Sequence, residues 1–159
     1  MNIRPTTVDD VEFLQKMLYQ AATWNPDWPR EPMEDVLADP MTMRYHEAWG
    51  RPGDGGVIAE LDGVPVGAAW YRLFEEDEPG YGFVDESTPE LTIAIVPSRR
   101  GRGLGEELLT ALLEQARSEG YGQISLSVEP DNPALHLYEQ HGFAKVGERG
   151  GALVMKADI

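Results

Sequence analysis

Strand and helix patterns alternate along the second half of this sequence, and that alternation limits the fold more than any other feature. A β-branched run, Leu91–Val96, stops at Pro97, and leucines at helical spacing follow over Leu104–Ala116. A second strand pattern covers Ile124–Val128, with another short helix after it. Strands that alternate with helices belong to a sheet that helices cover. We therefore predict an α/β fold in which Leu91–Val96 is buried on both faces.

The first half of the chain predicts antiparallel strands. A short first strand, Asn2–Pro5, precedes a helix with its apolar residues on one face. Two apolar runs then meet at Asp62–Gly63, which is typical of a two-residue hairpin turn. A second hairpin turns at Gly150–Gly151. The segment Trp24–Asp54 is dense in Trp, Pro and Met, and we expect it to be an irregular excursion with a second short helix over Glu34–Ala38. It would belong to a single domain, residues 1–159, built on a mixed sheet.

Composition and charge exclude several classes of protein. The 13 Lys and Arg against 28 Asp and Glu leave a formal charge of −15, which opposes binding to nucleic-acid phosphates. The chain has no cysteine, so disulfides, zinc–thiolate sites and thiol nucleophiles are excluded. No apolar run suits a membrane span or a signal peptide. We expect a cytoplasmic protein that binds neither nucleic acid nor membrane.

A loop of arginines and glycines, the Arg–Gly loop, connects the strand Leu91–Val96 to the next helix. It contains Arg99, Arg100, Gly101, Arg102, Gly103 and Gly105. Glycine permits positive φ and a close approach of the backbone, so successive N–H groups can converge on an anion at the positive end of a helix dipole. The loop is therefore predicted to bind a phosphate group. The alternative is a glycine-rich turn whose arginines only face solvent.

Two familiar nucleotide-binding motifs do not fit this loop. A P-loop needs Lys and then Ser or Thr after its last glycine, whereas Glu106 and Glu107 stand there. The dinucleotide fingerprint G-x-G-x-x-G, counted from Gly101, has Glu106 in its sixth position. Neither motif identifies the ligand.

Two ordered motifs resemble one known family. Arg100-x-x-Gly103-x-Gly105, between a strand and a helix, resembles the acetyl-coenzyme A signature of the GNAT superfamily of N-acetyltransferases. The later segment SLSVEPDNPALHLYEQHGF is similar to the family's second signature, and the opening IRPTTVDDVEFL to its first strand and helix. The resemblance implies a GNAT-like mixed sheet, flanked by helices and splayed between Leu91–Val96 and Ile124–Val128, with the cofactor's pantetheine in the opening.

The same resemblance implies which residues contact the cosubstrate, acetyl-CoA. The expected cofactor-binding residues are Ile95, Val96, Arg100, Gly101, Arg102, Gly103, Leu104, Gly105, Asn132 and Tyr138. Tyr138 would lie near the sulfur and give a proton to the departing thiolate, a role that a Tyr hydroxyl can perform. The alternative is that Tyr138 is only an amphipathic residue half-buried on its helix. Asn132 is one residue closer to Tyr138 than in the commonest family pattern, and capping the helix is its alternative role.

Transfer to an amine also requires a base. An aliphatic amine of pKa about 10.4 is unprotonated in only roughly one molecule in 2,500 at pH 7. Members of the family often use a carboxylate on or near the strand before the loop, directly or through water. Glu90, at the start of that strand, is the first candidate for a catalytic residue. Glu60 is the second, and Asp85 or Glu86 is the third.

Two further features are candidates for acceptor recognition. The acidic run Glu75–Glu78, with Asp85 and Glu86 after it, is expected on the acceptor side of the cleft, where it would attract a cationic amine. Its alternative is a solvated loop. Four tryptophans are candidates either for walls of the acceptor pocket or for ordinary core packing. They are Trp24, Trp28, Trp49 and Trp70.

The spacing of the three histidines does not indicate a metal site. His136 and His141 lie five residues apart on one predicted helix and so on different faces, and His46 belongs to the irregular excursion. We predict no metal.

These features predict an N-acetyltransferase that moves an acetyl group from acetyl-CoA to a primary amine. Because cysteine is absent, we expect direct attack with no covalent enzyme intermediate. The acceptor would be a small cationic amine or an amine of a peptide or protein. The alternative is a GNAT-like module that binds coenzyme A as a sensor or partner-recognition element without turnover. A homodimer is a candidate for the quaternary structure.

Overall fold

The computed structural model describes residues 1–159. Its strands are β1 (Asn2–Pro5), β2 (Gly55–Leu61), β3 (Val64–Arg72), β4 (Glu90–Ile95), β5 (Gln123–Val128), β6 (Ala144–Arg149) and β7 (Ala152–Asp158). Its α-helices are α1 (Val11–Ala22), α2 (Met33–Ala38), α3 (Pro40–Met43), α4 (Leu104–Ser118) and α5 (Leu135–Gln140). None of these helices has the length and hydrophobicity needed to cross a bilayer.

All the strands belong to one sheet, in the order β1-β2-β3-β4-β5-β7-β6. Every neighbouring pair is antiparallel except β4 and β5, which run parallel. Asp62 and Gly63 have φ values of 51° and 78°, as a two-residue turn between β2 and β3 requires. Gly150 and Gly151 turn the chain between β6 and β7. Both predicted hairpins and the mixed α/β sheet are confirmed.

The sheet opens between its two parallel strands. β4 and β5 pair at one position only, Glu90 opposite Ser125, whereas each pairs along its full length with its other neighbour, β3 or β7. The predicted splay is confirmed. The predicted strand Leu91–Val96 corresponds to β4, and the expectation that it is buried on both faces is wrong. In β4 only Glu90 and Leu91 are buried, and residues 92–95 are half-buried. Those four residues line the opening, where no neighbouring strand covers them.

Helices cover both faces of the sheet. The buried face of α4 consists of Leu104, Leu108, Leu109, Leu112, Leu113 and Ala116, as their helical spacing predicts. On the opposite face, Leu14, Met17 and Leu18 of α1 pack in one cluster with Ile58 and Trp70. β2 and β3 therefore lie between two packed layers of helix. β4 is next in the sheet, with the fully paired strand β3 on one side and the opening on the other.

A buried ion pair ties part of the irregular excursion to the sheet. Arg72 Nε and Nη2 contact Asp54 Oδ1 and Oδ2 at 2.9 and 2.8 Å, and the two side chains are 1% and 3% exposed. Arg72 Nη1 also donates to the carbonyls of Arg44 and Glu47, at 3.1 and 2.6 Å. Asp54 Oδ2 accepts two backbone N–H groups of the same segment. The pair therefore holds residues 44–54 against the end of β3.

Candidate active site

A cleft of about 910 Å³ occupies the opening between β4 and β5. Its lining includes residues 90–95 of β4, residues 126–129 after the β4–β5 pairing, and Tyr138 of α5. The end of α1 and the segment after it, as far as Glu31, also line the cleft. Half of the residues that line the cleft are hydrophobic. Small-molecule sites usually combine such apolar walls with a few convergent polar groups.

The Arg–Gly loop has the local geometry of an anion site. Gly101 and Gly103 have φ values of 77° and 81°, a conformation that other residues rarely adopt. A Cβ at either position would meet nothing within 4 Å, so glycine is needed for conformation rather than for space. Gly103 is the N-cap of α4, whose first N–H groups have no helical acceptor and form the positive end of the dipole.

Gly105 differs from the other two glycines of the loop. It lies within the first turn of α4 and has no positive φ, because the backbone there is already helical. A Cβ at Gly105 would lie 3.4 Å from Leu137 Cδ2, which is an ordinary contact. Gly101 and Gly103 therefore use the positive φ that glycine permits, and Gly105 does not.

Arg100 connects the loop to β4 and to α1. Its Nε donates to the Ile95 carbonyl and its Nη2 to Gln20 Oε1, each at 3.2 Å, and the side chain lines the cleft. Arg102 is exposed and makes no such contact. Arg100 is thus the arginine that reaches the cleft, with part of its guanidinium engaged by protein.

Leu104 and Val96, also expected to bind the cofactor, do not line the cleft. Leu104 is 7% exposed within the core, so its backbone is the part available to a ligand. Val96 donates its N–H to Val66 and accepts from the Arg99 N–H, at 2.9 and 3.0 Å, so both of its backbone groups are engaged. Of the residues expected to bind the cofactor, those that line the cleft are Ile95, Arg100, Asn132 and Tyr138.

Glu90 lies at the vertex of the cleft, which we define as the point where β4 and β5 still pair. Its side chain is 3% exposed, and its Oε2 accepts a hydrogen bond from the Tyr45 hydroxyl. Its Oε1 has no hydrogen-bond partner in the protein. Burial raises the pKa of the Glu90 carboxyl from 4.5 to about 7, against the opposing effects of Tyr45, the Gly82 amide and the Arg149 charge. A carboxyl with this pKa exchanges protons near neutral pH.

The other carboxylate candidates lie outside the cleft. Glu60 forms an ion pair with Arg4 at 3.2 Å near the edge of the sheet. Asp85 and Glu86 accept hydrogen bonds from backbone N–H groups of their own loop. None of the three lines the cleft. Among the predicted carboxylates, Glu90 is the one in contact with the cleft.

Tyr138 and Asn132 both line the cleft near the start of α5. Tyr138 is 7% exposed, and its ring packs edge-on against Phe143 with centroids 6.0 Å apart. Burial alone raises the pKa of the Tyr138 phenol, with no charge or hydrogen bond contributing, so the hydroxyl keeps its proton at neutral pH. Asn132 Oδ1 accepts from the Ala134 N–H at 2.9 Å, so its oxygen supports the turn that leads into α5.

The acidic run is not where it was expected. Glu75–Glu78 are exposed, and none of them lines the cleft. Glu75 and Glu78 border a separate depression of about 430 Å³ that also contains Arg44 and Arg51. Tyr81 is the only residue of the loop between β3 and β4 that lines the cleft. The carboxylates that do line the cleft are Glu31, Asp39, Glu90 and Glu129.

The four tryptophans divide between the cleft and other sites. Trp24 and Trp28 line the cleft and pack edge to face, with ring centroids 5.4 Å apart. Trp70 is 1% exposed in the core, and Trp49 lies under the Arg72 guanidinium at 5.6 Å. The prediction of a pocket wall therefore suits Trp24 and Trp28, and core packing suits Trp70.

Two cleft residues carry no sequence motif and were missed. Tyr45 donates to Glu90 and accepts a hydrogen bond from the Tyr81 N–H at 2.7 Å, and both tyrosines line the cleft. Tyr45 belongs to the irregular excursion and is 45 residues from Glu90 in sequence. The aromatic content of that segment was the only available signal.

Two of the three histidines make hydrogen bonds within the fold, whereas His136 is exposed. His46 contacts Gln15 and the Leu37 carbonyl, at 3.2 and 3.1 Å, and His141 contacts the Leu137 carbonyl at 2.9 Å. No group of three or more His, Asp or Glu side chains is arranged to hold a metal ion.

Curated relatives of this chain are acyltransferases by name. The mycothiol acetyltransferase of Amycolatopsis mediterranei is 31% identical over 138 residues, which cover 86% of this chain and 43% of the relative. The L-amino acid N-acyltransferase MnaT of Escherichia coli is 32% identical over 128 residues, covering 80% of this chain and 67% of the relative. The chain therefore spans less than half the length of the mycothiol acetyltransferases it matches.

A solved structure and a family match agree with this fold. The PaiA N-acetyltransferase of Thermoplasma acidophilum, crystallised in complex with coenzyme A, superposes with a TM-score of 0.74 at 15% identity over the full length of both chains. Residues 15–143 match the family described as Acetyltransferase (GNAT) family. The splayed sheet, the Arg–Gly loop before α4 and the matched residues lead to one conclusion. The chain belongs to the GNAT acetyltransferase family.

Proposed function

We propose that this protein transfers an acetyl group from acetyl-CoA to a primary amine, with Glu90 as the base and Tyr138 as the proton donor. The observation that carries the proposal is the position of Glu90. It is the predicted carboxylate in contact with the cleft, and burial brings its pKa to about 7. General bases work best when their pKa lies near the operating pH.

Acetyl-CoA suits the opening and the loop that follows it. The pyrophosphate would rest on the N–H groups from Arg100 to Gly105, and the pantetheine would lie between β4 and β5. The left-handed turns at Gly101 and Gly103, together with the dipole of α4, support anion binding there. The fold is that of a relative crystallised with coenzyme A, which supports the same choice of cosubstrate.

The proton balance of the reaction assigns a task to each residue. An ammonium acceptor first loses one proton to Glu90, directly or through water. The amine nitrogen then bonds to the acetyl carbon, the carbon–sulfur bond breaks, and the thiolate takes a proton from Tyr138. The amide nitrogen loses a second proton, which restores Tyr138, and Glu90 releases its own proton to solvent. The buried Tyr138 phenol is protonated at neutral pH and therefore ready to donate.

We further propose that the acceptor carries positive charge, as a small cationic amine or as an amine of a basic peptide or protein. Four carboxylates line the cleft, Glu31, Asp39, Glu90 and Glu129, against two arginines, Arg30 and Arg100. Two aromatic walls, Trp24 and Trp28, add surfaces on which an alkyl chain or a cation can pack. The exposed acidic run Glu75–Glu78 does not line the cleft.

The test is thiol release from acetyl-CoA in the presence of a panel of mono- and polyamines. We expect turnover with at least one amine, and a loss of at least about 10²-fold in kcat for Glu90→Gln with acetyl-CoA affinity unchanged. Glu60→Gln is the matched control, because Glu60 was a sequence candidate but lies outside the cleft. Acetyl-CoA binding by calorimetry without thiol release for any amine would instead support the coenzyme A sensor.

A further inference from the structure

The Tyr45 side chain is held in place from several directions at the vertex of the cleft. It is 6% exposed, and its hydroxyl donates to Glu90 Oε2. The Tyr45 hydroxyl oxygen also accepts a hydrogen bond from the Tyr81 N–H at 2.7 Å. The Trp70 indole Nε1 donates to the Tyr45 carbonyl at 3.1 Å. The Tyr45 ring also packs edge to face on Phe74, with centroids 5.1 Å apart. Its hydroxyl therefore has little freedom to leave Glu90.

The segment Pro79–Phe83, which we call the tyrosine loop, closes over the same carboxylate. Arg44 Nη1 donates to the Pro79 carbonyl at 2.6 Å, and Arg149 Nη1 donates to the Gly80 carbonyl at 2.8 Å. A Cβ at Gly80 would overlap Glu90 Oε1 and the Tyr45 hydroxyl oxygen. The loop and Tyr45 thus enclose Glu90 together, with the Tyr81 N–H as the hydrogen bond between them.

From these contacts we propose that Tyr45 is a positioning residue, which holds Glu90 Oε2 by a hydrogen bond and leaves Oε1 to take the proton of the acceptor. The inference rests on the proposed function, because it gives Tyr45 a task only through Glu90. Tyr45 keeps its own proton throughout. A phenol that donates to one carboxylate oxygen fixes the plane of the carboxylate and favours its charged form.

The surroundings of Glu90 explain why this hydrogen bond matters. Burial is the largest influence on the Glu90 pKa and raises it, and the Tyr45 hydrogen bond is the largest influence that lowers it. The Gly82 amide and the charge of Arg149, from β6, also lower it. On the neighbouring strand β5 the residue opposite is Ser125, which carries no charge. Removal of the Tyr45 hydroxyl should therefore raise the Glu90 pKa further.

The experiment compares the pH dependence of kcat/KM for wild type and Tyr45→Phe. We expect the acidic limb to move upward by about one pH unit, which lowers the ionised fraction of Glu90 at pH 7 about five-fold. Tyr71→Phe is the matched control, since the Tyr71 hydroxyl is also buried but makes no hydrogen bond to Glu90. We expect its profile to match wild type. A Tyr45→Phe limb at the wild-type pH, in a folded protein, would overturn the proposal.

A second measurement separates this inference from the assignment of Glu90 as base. The Glu90 carboxyl can be titrated by 13C NMR in the free protein, with Glu90→Gln identifying its signal. An upward shift of that titration in Tyr45→Phe supports the positioning role, and an unchanged titration overturns it, whatever the activity. If Glu90→Gln leaves the pH–rate profile unchanged, the proposed base is wrong, and the positioning role for catalysis is overturned with it.

Discussion

A buried carboxyl with a raised pKa should make the protein less stable as the pH rises. The pKa of Glu90 is about 7 in the folded protein against 4.5 when exposed. Between these values the folded state binds a proton that the unfolded state has released, so the free energy of unfolding falls with pH. The stabilising contribution of the protonated form is present below about pH 4.5 and lost as the pH passes through about 7.

The size of this effect follows from the difference between the two pKa values. A difference of about 2.5 units, at 1.36 kcal/mol per unit, corresponds to about 3 kcal/mol. Glu90 is 3% exposed, so water screens this cost very little. Glu90→Gln removes the titration while retaining an oxygen that can accept the Tyr45 hydrogen bond. The variant should therefore lose at least about 10²-fold in kcat and yet, relative to wild type, gain about 3 kcal/mol of stability between pH 4.5 and pH 8.

Urea unfolding of wild type and Glu90→Gln at several pH values between 4.5 and 8 measures this difference. Other carboxyl groups titrate alike in the two proteins, so their effects cancel when the free energies of unfolding are subtracted. Glu60→Gln, which removes a partly exposed carboxylate, should show no rising difference over the same range. Parallel stability curves for wild type and Glu90→Gln would refute the view that burial controls the Glu90 pKa.

Three further substitutions test other parts of the site and the fold. Gly103→Val should weaken acetyl-CoA binding at least about ten-fold by calorimetry, because it distorts the left-handed turn before α4; Gly120→Val, at a φ of 94° with equally open surroundings, shares the strain and should retain affinity. Tyr138→Phe should lower kcat by about 10²-fold with little change in acetyl-CoA affinity, and equal turnover would leave Tyr138 a packing residue. Asp54→Asn leaves the buried Arg72 without its counter-charge, so urea unfolding should show a loss of about 3–5 kcal/mol. Wild-type stability in that variant would mean that the pair does not hold the segment.

Much of the fold follows from patterns that act over a few residues. The turn at Asp62–Gly63 needs two positive φ values, which few residue pairs other than this one adopt easily. Leucines at helical spacing determine which face of α4 is buried. The Arg–Gly loop is equally local, since Gly101 and Gly103 adopt left-handed conformations between a strand and a helix. The sequence by itself therefore determined the elements, the hairpins and the candidate anion loop.

Only the tertiary structure decided how these elements meet around the cleft. The acidic run looked suited to the acceptor side but lies elsewhere, because the direction of a long loop depends on its packing. Glu60 and Glu90 were both carboxylates at strand ends, and only the position of each strand in the sheet separates an edge ion pair from a cleft residue. The contact of Tyr45 with Glu90 joins an irregular segment to a strand 45 residues later. No local pattern encodes such a contact, because tertiary packing brings the two side chains together. The same burial sets the pKa of the Glu90 carboxyl, on which the proposed chemistry depends.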